Sequence, residues 1–276
     1  MFQNPQPLAS QLPQLAKQSP LIINLTNDVV KNLSANILLA AGASPIMAHS
    51  RRELAELITL CQAVVINIGT LDEQRVARMQ FAIEQANLNH KLIILDPVGC
   101  GASHYRTNVS KQFCRMAQRL VIRGNASEIM ALAGLPSQGQ GVDSGDDSLQ
   151  ALEAAQALFH QYSDKALLEI SISGATDYIL RGSQVDAFFN GHPLMSRVTG
   201  MGCSLTALTA AFRSIDESGT LVATALFGVA GELAGHQASG PASFQQHFID
   251  TLYQLCSDND RRFEETLRWR SQAFTE

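Results

Sequence analysis

Short, unbroken apolar runs recur along this chain, and stretches of helical periodicity separate them. The runs are Leu21-Ile22-Ile23-Asn24-Leu25, Ala63-Val64-Val65-Ile66-Asn67-Ile68, Lys91-Leu92-Ile93-Ile94-Leu95, Leu120-Val121-Ile122 and residues 166–172. A continuous β-branched run marks a strand buried on both faces. Helical patterns fall between them at residues 29–41, 51–60, 72–87, 109–118 and 149–162, with a further helix opening at 123–128. Strands alternating with helices of ten or more residues mean βαβ units and a largely parallel sheet covered by helices on both faces. Gly42 is placed to stop the first long helix. Residues 44–47 return as a strand, and residues 178–180 with 184–189 suggest a hairpin. Three more helices are expected at 205–214, 221–238 and 244–256. Residues 1–19 are a polar, proline-punctuated extension with a short helix near 12–17, residues 135–148 a surface loop, and residues 258–276 a polar tail that reads as a frayed helix. No composition shift divides the chain, so residues 1–276 are expected to form one domain.

Composition excludes several classes. The net charge of −5 argues against a nucleic-acid surface, and the arginines near the end (Arg261, Arg262, Arg268, Arg270) alternate with acids rather than forming a basic patch. Five scattered cysteines with no CxxC spacing fit reduced thiols better than a disulfide frame or a zinc site. No apolar run approaches the roughly 18 residues of a membrane span, and the first residues lack the apolar core of a signal peptide; a cytoplasmic protein without membrane contact is expected. Only 16% of residues are charged, against about 25% on average, which suits a chain that buries extra surface in an oligomer.

Ligands of open parallel sheets bind outside the carboxyl ends of the strands. Polar residues collect at those ends: Asn27, Met47, Asn67 with Thr70, Asp96, residues 123–128, Ser173, and Gly200 to Cys203. Any one of them is ordinary loop chemistry; the set is less so. Thr199-Gly200-Met201-Gly202-Cys203 combines two glycines, which let backbone approach a ligand closely, with the start of an apolar helix. Free N–H groups and the positive dipole end there favour an anion. In that first turn Cys203 is expected to have a lowered pKa and thiolate character. An anion site beside an activatable side chain suits phosphoryl transfer, which is mostly positioning and charge stabilisation.

Asp96 and Glu128 are the candidate ligands of Mg²⁺, which takes one or two carboxylates plus phosphate oxygens and water. Each has a plainer role open to it, Asp96 as a cap before Pro97 and Glu128 as capping-box partner of Asn125. Arg123 either stabilises phosphate charge or pairs with Glu128. The phosphate-loop signature GxxxxGK[ST], the dinucleotide fingerprint GxGxxG and HExxH are all absent.

Six ordered segments carry a resemblance: Leu25-Thr26-Asn27-Asp28-Val29-Val30-Lys31-Asn32 with Ala35-Asn36; Gly42-Ala43-Ser44-Pro45-Ile46-Met47-Ala48; Asp96-Pro97-Val98-Gly99; Arg123-Gly124-Asn125-Ala126-Ser127-Glu128-Ile129; Thr199-Gly200-Met201-Gly202-Cys203; and Gly240-Pro241-Ala242-Ser243-Phe244. From about residue 20 to 255 the chain resembles the hydroxyethylthiazole kinases, of the ribokinase-like superfamily. The resemblance implies phosphorylation of the primary alcohol of 4-methyl-5-(2-hydroxyethyl)thiazole with ATP and Mg²⁺ in thiamine salvage, and a homotrimer with sites at subunit interfaces. It places thiazole contacts at Met47 and Gly200 with Asn27 nearby, ATP contacts at Arg123 and Ser173 with Asn125 beside them, and the magnesium-side acids at Asp96 and Glu128. Cys203 falls where wider relatives carry an aspartate base, next to Gly200 and Gly202. Ser173 stands for the family's threonine, Ala242 for its second glycine, and Asp28 for a common aromatic. A kinase acting on the hydroxymethylpyrimidine half of thiamine, and a silent thiazole or nucleotide sensor, are the alternatives.

Overall fold

The computed structural model describes residues 2–135, 145–162, 167–257 and 260–274. Helices α1 (Gln6–Ala9) and α2 (Leu12–Gln18) precede strand β1 (Leu21–Leu25), followed by α3 (Lys31–Ala41), β2 (Ser44–Ile46), α4 (Arg51–Leu60), β3 (Ala63–Asn67), α5 (Glu73–Leu88), β4 (Leu92–Asp96), α6 (His104–Met116) and β5 (Leu120–Asn125). Next come α7 (Ala126–Ala133), α8 (Gly145–Tyr162), β6 (Leu167–Ser173), β7 (Asp177–Arg181) and β8 (Gln184–Phe188). Helices α9 (Met201–Ile215), α10 (Gly219–Gln237), α11 (Pro241–Leu255) and α12 (Arg262–Thr266) lead to β9 (Trp269–Ala273).

The strands form one nine-stranded sheet in the order β2-β1-β3-β4-β5-β6-β7-β8-β9. Pairing is parallel from β2 through β6 and antiparallel from there to β9. The expected α/β fold with a largely parallel sheet and helices on both faces is therefore present. Side-chain alternation divides the strands between two cores. Ile22, Val65, Ile94 and Val121 pack with residues of α3, α9, α10 and α11, whereas Ile23, Val64, Ile93 and Ile122 pack with α4 to α8. Helix α10 is buried nearly all round, from Gly219 to Gly231, so it lies within the first layer rather than on its surface.

Helix ends follow local chemistry. Gly42, at φ 100°, closes α3 in the left-handed region, where an L side chain is strained. Ser50 and Glu53 make a reciprocal capping box for α4, and Asn125 and Glu128 do the same for α7. Helix α6 starts earlier than its periodicity indicates, because Ser103 caps it by accepting from the Arg106 amide.

Two terminal expectations need correction. The stretch before β1 is integrated rather than appended: Leu8, Leu12 and Leu15 are buried in the α9 side of the core. The stretch after α11 is not a frayed helix. It holds α12 and then β9, which pairs along the whole of β8, with Trp269 stacked on Phe188 at 5.7 Å between ring centroids. Pairing to an open sheet edge overrides weak local propensity. The loop expected at 135–148 lies mostly outside the described residues, and from Gly145 the chain is helical.

Candidate active site

The carboxyl ends of β1, β3, β4, β5 and β6 bring Asn27, Asn67, Asp96, Arg123 and Ser173 to one rim of the sheet, facing the start of α9. Strand geometry explains the facing. Residues two apart share a side, so Asn67, Asp96 and Arg123 follow Val65, Ile94 and Val121 onto the α9 face.

Asp96 is 1% exposed. Its Oδ2 accepts from Asn67 Nδ2 at 2.7 Å and from Thr206 Oγ1, on α9, at 2.8 Å. Burial is the main influence on this carboxyl and pushes its pKa up to about 6; Arg123 opposes that shift and the charge of Glu128 adds to it. Arg123, 5% exposed, donates from Nη2 to Ser173 Oγ at 2.6 Å, while its Nε has no partner among the described residues. No ion pair joins it to Glu128 among the described residues. Glu128 Oε1 accepts from the Gly99 amide and Oε2 from the Asn125 amide, each at 2.9 Å. Its capping role is thus real, and it also ties the loop after β4 to the start of α7. Asn125 uses its Oδ1 on the Glu128 amide at 2.9 Å.

Helix α9 opens at Gly200, at φ 88°, and no side chain caps it. Its first internal hydrogen bond runs from the Ser204 amide to Gly200 O. The amides of Met201, Gly202 and Cys203 are therefore those a helix start leaves free. The two glycines here meet different neighbours. A Cβ at Gly200 would lie 2.8 Å from Val30 Cγ1, and one at Gly202 would lie 2.8 Å from Arg123 Nη1. The second contact brings the guanidinium against the helix start, so fixed positive charge and free amides face the same region.

Cys203 is half-buried, with Asn27 Nδ2 3.6 Å from its Sγ. The expected thiolate is not supported. Burial, with the charge of Asp96 added, pushes the thiol up to about 11, and the donors from Asn67 and Asn27 and the charge of Arg123 only partly counter this. Desolvation outweighs the neighbouring groups that favour the thiolate. Asn27, 4% exposed, donates to Asn67 Oδ1 at 3.0 Å. Met47 sits half-buried just past β2, which pairs with β1, the strand that leads into Asn27.

Three residues gain roles that their sequence context did not assign. Asn67 links Asp96 to Asn27. Thr206 lies four residues after Gly202, hence on the same helix face; a polar residue at that spacing in an apolar helix is the signal that would have found it. Arg106 donates to the carbonyls of Ile68, Gly69 and Val98, at 3.0, 2.7 and 2.7 Å, and so joins the loops after β3 and β4.

A family model described as "Hydroxyethylthiazole kinase family" matches residues 12–258. A hydroxyethylthiazole kinase from Vibrio parahaemolyticus is 52% identical over 248 residues, covering 90% of this chain and 93% of its own length. One from Desulfotalea psychrophila is 44% identical, with 90% of each chain covered. Among solved structures, the hydroxyethylthiazole kinase protein of Pyrococcus horikoshii superposes with a TM-score of 0.86 at 38% identity, covering 97% of this chain and 99% of that one. A Bacillus subtilis pyridoxal kinase shares the fold at a TM-score of 0.56 and 14% identity, over 76% of this chain and 91% of its own.

Proposed function

The chain belongs to the hydroxyethylthiazole kinase family, and we propose how the groups described above divide the work of that reaction. The protein phosphorylates the primary alcohol of 4-methyl-5-(2-hydroxyethyl)thiazole, a step of thiamine biosynthesis, and ATP is the phosphoryl donor.

The observation that carries the assignment of roles is the uncapped start of α9 with Arg123 against Gly202. The amides of Met201, Gly202 and Cys203 point where negative charge develops on the transferred phosphoryl group, and preorganised donors of this kind supply much of the stabilisation in such reactions. Arg123, steadied by Ser173, neutralises part of the same charge. Asn27, Met47 and Gly200 bound the thiazole side. Cys203 then orients the alcohol. With its pKa near 11, the thiol is a poor general base at neutral pH, so positioning the hydroxyl for in-line attack is its main contribution.

Mg²⁺ fits the acids present. Both hydrogen bonds to Asp96 fall on Oδ2, which leaves Oδ1 for a cation. Both oxygens of Glu128 hold backbone amides, so Glu128 acts through water or through its field. No group of three or more metal-binding side chains occurs among the described residues, which is compatible with an ion held largely by phosphate oxygens and water. Such an ion, when bound, would offset charge on the transferring phosphates.

A homotrimer with sites at its interfaces is part of the same proposal. Its support is Val29, two residues past Asn27 and 65% exposed despite being apolar; light scattering at a monomer mass would overturn it. A cytoplasmic location fits the free state of all five cysteines.

The deciding experiment is ADP release from ATP and Mg²⁺ with hydroxyethylthiazole, and in parallel with the hydroxymethylpyrimidine. Release with the thiazole alone is expected. Release with the pyrimidine alone would replace the substrate, and thiazole binding without ADP release would indicate a sensor.

A further inference from the structure

We propose that Asn67 is a positioning residue. It orients the Asp96 carboxylate directly and the Cys203 thiol together with Asn27, so one hydrogen-bonded frame joins the phosphate side of the site to its alcohol side. The inference rests on the roles given above to Asp96 and Cys203.

The polarity of the frame is determined step by step. Asn67 is 1% exposed and carries three hydrogen bonds: Nδ2 to Asp96 Oδ2 at 2.7 Å, and Oδ1 from Asn27 Nδ2 and from the Gly69 amide, each at 3.0 Å. A reversed amide would set its oxygen against the carboxylate and its NH₂ against the Gly69 N–H, so only one orientation is satisfied. Asn27 is constrained in turn. Its Oδ1 accepts from the Val29 amide at 3.1 Å, which leaves its NH₂ for Asn67 Oδ1 and Cys203 Sγ. The sulfur thus meets a donor from the protein, and its own S–H is left to other acceptors. Gly69 closes the frame from behind, since a Cβ there would lie 2.6 Å from Asn27 Nδ2.

Buried polar networks that are fully satisfied specify one geometry, and partly satisfied ones do not. The chain from Asp96 through Asn67 and Asn27 to Cys203 crosses from β4 to β3, to the loop after β1 and to α9. It therefore fixes relative positions that no single element fixes. A misplacement of about 1 Å at a reacting group costs on the order of 100-fold in rate.

The test uses Asn67→Leu, of the same branched shape, though bulkier, without hydrogen bonds, together with Asn27→Ala and the double variant, in the full chain. Two readouts are taken: steady-state kinetics with hydroxyethylthiazole, and alkylation of Cys203 by iodoacetamide without ATP, followed by peptide mass spectrometry. Asn67→Leu is expected to lower kcat roughly 30- to 100-fold, with KM for ATP within about threefold of the parent. Alkylation at pH 8 should slow about threefold or more as the thiol loses donors. The double variant should fall no more than about twofold below the weaker single variant, because residues of one network are not additive. Unchanged kcat per folded molecule, or lost kcat with unchanged alkylation and additive effects, would overturn the proposal. If Asn67→Leu does not fold, Asn67→Ser, too short to span Asp96 and Asn27, gives the same readouts. A parent enzyme inactive on the thiazole would strike the functional reading alone, while the alkylation rates still judge Asn67.

Discussion

Thr206 Oγ1 lies 2.8 Å from Asp96 Oδ2 and bridges the helix that opens the anion site to the strand that bears its buried carboxylate. The hydroxyl also reaches back to Gly202 O at 3.3 Å, on the first turn of the same helix. Helix start and acid are thereby held in register by one side chain. Asp96 retains its charge at neutral pH only at a cost in solvation, and the expected behaviour of several variants follows from that tension.

Asp96→Asn is expected to abolish most activity while stabilising the fold. Burial raises the folded pKa of Asp96 to about 6 from an ordinary 3.8. The folded state therefore binds the proton more tightly than the unfolded one, and stability is lost as pH rises between those values. At pH 7.5 with EDTA present, removing the charge should add about 1–3 kcal/mol, and the gain should vanish below pH 4. Urea titration at both pH values checks this; equal stability of the two proteins at pH 7.5 would contradict it.

Gly202→Ala should impair catalysis with little effect on stability. Its methyl meets Arg123 Nη1 at 2.8 Å and displaces the guanidinium from Ser173. A fall of roughly 10- to 100-fold in kcat/KM for ATP is expected, with Tm nearly unchanged because alanine suits a helix. Matched kinetics and thermal melts decide it, and parental kinetics would refute the steric account.

Cys203 should react as an ordinary buried thiol rather than an activated one. With its pKa pushed up to about 11, alkylation should rise about tenfold per pH unit from pH 7 to pH 10. A plateau below pH 8 would restore the thiolate and with it a role as base.

Arg213→Met is expected to destabilise the protein by about 3–5 kcal/mol, because it strands a buried charge. Arg213 Nε donates to Glu169 Oε1 at 2.9 Å, and Glu169 is 3% exposed. Urea denaturation measures the loss; a companion Glu169→Gln change should recover part of it, and no recovery would argue against the pair.

What was legible in the sequence was set by local signals. Val64-Val65-Ile66 and Ile93-Ile94-Leu95 are unbroken apolar runs, and both form buried strands. Gly200 and Gly202 mark a close approach, and both have a neighbour where a Cβ would stand. The state of Cys203 was not legible, since its burial and its nearness to Asp96 arise from elements about a hundred residues apart. Asn67 and Asn27 are ordinary amides until strand pairing brings them within 3.0 Å. The strand at Trp269–Ala273 owes its conformation to the edge of β8, and nothing in its own residues demands one.

That strand has a kinetic consequence. Helix α9 leaves the sheet after β8, and the chain rejoins it only at β9, with Gln184 opposite Ala273. The active-site helix thus belongs to a long excursion pinned at both ends, and non-local closures of this kind slow folding. Until β9 docks, the edge of β8 stays open to other chains.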